Sequence, residues 1–82
     1  MGKTQLLKDA RTKYGIALKS RYEGFYRKVT RVTNKSLYMG YLELKFPKDP
    51  KLIVYDGELL KLLSPEGSIV SIYRCKHLSY WD

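Results

Sequence analysis

The sequence predicts an α+β fold: an N-terminal amphipathic helix followed by a four- to five-stranded antiparallel meander. Three observations lead there. Apolar residues recur at spacings of three and four up to Tyr22. Beyond Gly24 the chain turns to β-branched residues and alternating patterns. Turn signals ("TNKS", "PKDPK", "DG" and "SPEGS") then punctuate it at short intervals. A chain of 82 residues holds one core, so the expectation is a single domain over 1–82.

The helix is expected over about 4–22, with Thr4 as its N-cap. Leu7, Ala10, Tyr14, Ala17, Leu18 and Tyr22 share its apolar face. Gly15 weakens its middle, Ile16 falls on the polar side, and Gly24 is the expected stop. A first strand follows over about 25–33, where Val29, Thr30, Val32 and Thr33 favour extended backbone. A stripe running on through Phe25, Val29 and Val32 keeps a longer helix as the competing reading.

The second strand is expected over 37–46, with Tyr38, Gly40, Leu42, Leu44 and Phe46 on one face. Strands over 51–55 and 58–63 flank Asp56-Gly57, the strongest short-range hairpin signal in the chain. A short helix over 57–63 capped by Asp56 is the alternative there. The last strand covers 69–76. A meander this small should bend strongly or curl into a barrel of the SH3-like or Sm-like size, with the helix against one side or end. No family motif accompanies that architecture.

Charge narrows the function classes. The net charge is +8, and residues 1–35 carry ten Lys/Arg against two acids, while 36–82 carry six of each sign. An excess confined to one block fits a face for a polyanion better than general solubility charge. Catalysis has little material: His77 is the sole histidine, and no carboxylate pair stands at a suggestive spacing. "GKT" at 2–4 lacks the upstream glycine and strand of a phosphate-binding loop. One cysteine, Cys75, excludes an internal disulfide and a multi-thiolate zinc site. The chain reads as a non-enzyme without metal or cofactor. No apolar run is long enough to span a membrane, and Lys8, Asp9, Arg11 and Lys13 interrupt any signal-peptide core. A cytoplasmic protein is expected. One Asn and one Gln beside abundant Lys are a thermophile tendency.

The expected function is nucleic-acid binding, with DNA and RNA not distinguished. Lys8, Arg11, Lys19, Arg21, Arg27, Lys28, Arg31 and Lys35 are the candidate phosphate contacts, because guanidinium and ammonium groups pair with phosphates. Tyr22 and Phe25 are the candidate stacking rings. In the first strand Arg27 and Arg31 should share an outward face with Phe25 and Val29, while Tyr26 and Val32 point inward. The alternative is an interaction module docking on an acidic partner protein, as small regulators and inhibitors of viruses and mobile elements do. An open strand edge or the Tyr80-Trp81 tail would supply its affinity. Pairing of strand edges into a homo-oligomer is a third expectation.

Overall fold

A computed structural model of the chain describes residues 2–22 and 24–78. Its elements are helix α1 (Gly2–Arg11) and strands β1 (Ile16–Ser20), β2 (Arg27–Lys28), β3 (Arg31–Val32), β4 (Ser36–Met39) and β5 (Leu42–Lys45). A 3-10 turn (Pro50–Leu52) leads into β6 (Ile53–Tyr55), β7 (Leu59–Leu63) and β8 (Ile69–His77). The class is α+β, as expected. The strands form two antiparallel sheets, not one meander: β2-β1-β8-β7-β6 and β3-β4-β5. They do not close into a barrel.

The first correction concerns the helix, which ends at Arg11 instead of near residue 22. Thr12 stops it. Its N–H and hydroxyl both donate to the Asp9 carbonyl, at 3.4 and 2.9 Å, and its Oγ1 accepts from the Gly15 N–H at 2.9 Å. Gly15 sits at φ +78, where an L-residue is strained and the chain can turn away from the helix axis. Ile16, Ala17 and Leu18 then enter a central strand and are all buried. Ile16 and Leu18 face the core, and the small Ala17 between them points to the outer side, flanked by Lys28 and Lys76, which is the period-two alternation of a strand. The odd placement of Ile16 on the expected helix was the trace of this strand. α1 instead anchors itself with Leu6, fully buried, and with Leu7 and Ala10 packed beside it. It lies against β6 and β3, edge strands of the two sheets.

The second correction concerns the expected strand 25–33. It is one extended segment shared by two sheets: β2 pairs with β1, and β3 pairs with β4. At the corner, the Val29 N–H donates to the Ile16 carbonyl in one sheet and the Thr30 N–H to the Tyr38 carbonyl in the other, both at 2.9 Å. Such corners are made where a strand bends out of one sheet into the next. Val29 and Val32 are both buried although three residues apart, so the alternation slips by one at the corner. That slip overturns the expected faces. Val29 points into the core rather than to solvent, and Tyr26 is exposed rather than buried.

The expected strand 37–46 is a hairpin. Met39 pairs with Leu42 across a two-residue loop whose first position, Gly40, has φ +67, the requirement of a type II′ connection. Tyr41 at its tip is fully open to solvent. The Asp56-Gly57 turn forms, with Asp56 Oδ1 accepting from the Glu58 and Leu59 N–H groups at 2.8 and 2.9 Å. β7 follows as a strand rather than the alternative helix. β8 pairs along β7 with Val70 left over as a bulge between Leu63↔Ile69 and Leu62↔Ser71.

One core joins everything: Leu6 from α1, Ile16 and Leu18 from β1, Val29, Val32, Leu37, Ile53, Tyr55, Leu60 and Leu62. It lies on the inner side of the five-stranded sheet. The outer side of that sheet has neither helix nor second sheet against it.

Candidate functional site

Strand register defines what the bare outer side carries. Residues paired across an antiparallel ladder point to the same side. Core residues Leu18 and Leu60 pair with Cys75 and Tyr73, so those positions face inward. The alternate positions face outward. Lys28 pairs with Ala17, and Ala17 with Lys76. Lys19 pairs with Arg74, and Arg74 with Leu59. Ile72 pairs with Lys61, and Lys61 with Val54. Arg21 extends this face beyond β1, its N–H donating to the Ile72 carbonyl at 3.3 Å.

The face therefore gathers Lys19, Arg21, Lys28, Lys61, Arg74 and Lys76. The five strands hold no Asp or Glu at all. Lys19 and Arg74 stand directly opposite one another, a like-charge pair that works against the sheet. Tyr26 sits among these cations, with the Lys19 and Lys76 ammonium groups 5.2 and 5.8 Å from its ring centroid. At the other end the Arg21 guanidinium lies 5.8 Å from the ring of Tyr22, a side chain 89% exposed. Two acids of the β6–β7 loop stand at the rim: Glu58, which lines a hollow there, and Asp56, whose carboxylate feels the charge of Lys61.

Three shallow hollows cross this face. One of about 310 Å³ lies between Tyr22, Arg21 and Ile69–Tyr73. The next, about 290 Å³, is lined by Lys19, Arg21, Leu59, Ile72 and Arg74. The third, about 330 Å³, is lined by Tyr26, Glu58, Leu59, Arg74 and Cys75. Arg21 and Ile72 are common to the first two, and Leu59 and Arg74 to the last two, so the hollows run into one another.

Of the sequence-predicted residues, Lys19, Arg21 and Lys28 stand on this face, with Tyr22 at its end. The others are dispersed. Lys8 and Arg11 are exposed on α1, on the core side of the sheet. Lys35 is exposed in the β3–β4 turn. Arg27 and Arg31 do not share a face. Arg27 pairs with inward-facing Leu18 and lines a crevice of about 230 Å³ between the sheets, its guanidinium 4.5 Å from the Phe25 ring. Phe25 is half-exposed there, away from the outward cations. Arg31 lies in the other sheet, stacked at 4.4 Å on Tyr38, whose hydroxyl donates to Glu43 Oε2 at 3.3 Å. The cause is the corner at Val29–Thr30, which sends the two arginines into different sheets.

Sequence reasoning missed Lys61, Arg74 and Lys76, which come from the electrically balanced half of the chain. A signal existed: in "IVSIYRCKH" the residues Ile72, Arg74 and Lys76 alternate onto one face. Tyr26 was missed because it was assigned to the core.

The remaining polar clusters are structural. The Tyr55 hydroxyl donates to Asp9 Oδ2 at 2.6 Å and lies 3.3 Å from Cys75 Sγ, tying α1 to the sheet. Burial, then the Asp9 carboxylate, pushes the Tyr55 hydroxyl well above the usual phenol range. Burial likewise raises the Cys75 thiol, so it is not an activated thiolate. The buried Ser36 hydroxyl donates to Glu43 at 2.6 Å and, as the main cause, holds that carboxyl below its ordinary range. Among the described residues, no group of three or more His, Cys, Asp and Glu could hold a metal ion. No helix among them is long and apolar enough to cross a membrane. Tyr80 and Trp81 lie outside the described residues. No protein-family model matches the chain, and no curated protein or solved structure is significantly similar to it.

Proposed function

We propose that the chain is a non-enzymatic nucleic-acid-binding protein that meets phosphates with the outer face of the five-stranded sheet. The observation that carries the reading is six cations on a face whose strands hold no acid, with Lys19 set directly against Arg74. A sheet gains nothing in stability from that pairing; a bound polyanion reverses its sign. Lys19, Arg21, Lys28, Lys61, Arg74 and Lys76 are the proposed phosphate contacts, replacing the helix-and-first-strand set that the sequence favoured. The cytoplasm is the proposed place of action. A bent segment shared by two sheets makes SH3-like and Sm-like small barrels the proposed architectural reference.

The second reading, docking on an acidic protein, draws on Ile69 and Val70. They are 54% and 67% exposed beside the basic face and add an apolar strip that phosphates do not use. One experiment separates the two: salt-titrated binding of labelled duplex DNA, single-stranded DNA and RNA. Affinity that falls steeply with salt supports nucleic-acid binding. Absence of binding at low salt refutes it and leaves the acidic protein.

A further inference from the structure

We propose that the nucleic acid this face takes is single-stranded, lying along β1 and β8 with bases stacked on Tyr26 and Tyr22. The inference rests on the phosphate-binding reading and adds the strandedness of the ligand. Three observations carry it. The rings stand at opposite ends of the row of hollows, with Lys19, Arg21 and Arg74 between them. That order, ring, cations, ring, matches a strand whose bases and phosphates are both accessible. A duplex keeps its base faces stacked inside and offers neither ring anything to stack on.

The second observation is the state of the rings. Tyr22 is 89% exposed, so most of its apolar face meets water unless a ligand covers it. Tyr26 is held beneath two ammonium groups, from Lys19 and Lys76. A base arriving on that ring displaces two cations at the moment when its own flanking phosphates come within their reach. The lysines swap a ring for phosphates, and the ring swaps lysines for a base.

The third is shape. The hollows are shallow and contiguous, with the aliphatic side chains Ile72 and Leu59 among their lining. A flexible strand settles into them, whereas a rigid duplex touches their rims. From Ile69 to Cys75 the row follows β8 for about 20 Å at the usual rise per residue. That length accommodates a short site, toward the lower end of the roughly 4–16 nucleotides of single-strand-binding folds.

The test is fluorescence anisotropy with labelled oligothymidylate, oligouridylate and a mixed-sequence duplex of the same length, at one low salt concentration. Both single strands should bind more tightly than the duplex. Tyr26→Ala and Tyr22→Ala should each weaken single-strand binding by about 5- to 150-fold, the range of one stacking contact. Duplex binding should stay unchanged, and Tyr26→Phe should behave as wild type. Tyr22 is 89% exposed, so its variant guards against a folding artefact. Equal affinity for single strand and duplex, or single-strand binding indifferent to both Tyr→Ala changes, overturns the inference while leaving the phosphate-binding face intact. Failure of every oligonucleotide to bind overturns both.

Discussion

Removing the Lys19–Arg74 pair is the perturbation that separates a binding face from a solvated one. The two side chains stand opposite each other on neighbouring strands, and both belong to the hollow at the centre of the face. If all six outward cations meet phosphates, the slope of log K against log[salt] should be about −4 to −5, at roughly 0.7–0.9 per contact. Between 50 and 200 mM salt, that slope weakens binding by about 300- to 2,000-fold. In Lys19→Ala/Arg74→Ala two contacts go, the slope drops to about −3, and the same salt step weakens binding only about 50- to 150-fold. Stability should move the other way. Deleting a like-charge cross-strand pair relieves a repulsion of about 0.2–1 kcal/mol, so the melting temperature should hold or rise. Anisotropy across a salt series measures the first effect and thermal denaturation the second. An unchanged slope, or a clear loss of melting temperature, refutes the reasoning, because the pair would then be either irrelevant to binding or structural.

Four further outcomes follow from the fold. Gly15→Ala leaves room for the added Cβ, its nearest neighbours being at 3.8 Å, but forces alanine to φ +78. It should cost about 1–2 kcal/mol, read as a lower denaturation midpoint. Leu6→Ala removes the fully buried anchor of α1 and should cost about 2–5 kcal/mol in the same assay. The Tyr55 hydroxyl titrates above its unfolded value, so its contribution is present below about pH 10 and lost as pH rises beyond. Tyr55→Phe should therefore be less stable at neutral pH and should lack the wild type's steepening alkaline loss. Glu43 titrates below its unfolded value, so its contribution is present above about pH 4 and lost as pH falls. Ser36→Ala should return the Glu43 carboxyl toward its ordinary titration, followed by NMR.

The C-terminal half of the fold was legible because its punctuation is local. Asp56-Gly57 and "SPEGS" fix their turns within a few residues, and β7 and β8 lie within a residue of where alternation put them. The N-terminal half was misread where a tertiary event overrode local pattern. Ala17 and Leu18 continue a helical stripe, yet Gly15 and the Thr12 side chain break the helix before them, and β8 claims them for a sheet. Nothing local to residues 16–20 names that partner, which comes from 69–77. Arg27 and Arg31 alternate correctly for one strand, but the corner at Val29–Thr30 divides them between sheets. The charge excess of residues 1–35 was a real property of the chain but a poor map of the surface. The sheet recruits half its outward cations from β7 and β8, and α1 carries Lys8 and Arg11 elsewhere. What sequence could not supply was the pairing of β1 with β8, which assembles the face.

That pairing also sets when the face can exist. Ile16 meets His77 and Ser20 meets Tyr73, contacts that close 61 and 53 residues of chain. Loops of that span close late and slowly compared with the hairpins they enclose. A nascent or truncated chain lacking β8 can form the β4–β5 and β6–β7 hairpins, but its lysines have no common plane to stand on. Synthesis of β8 is then the event that converts a loosely cationic polypeptide into a patterned surface.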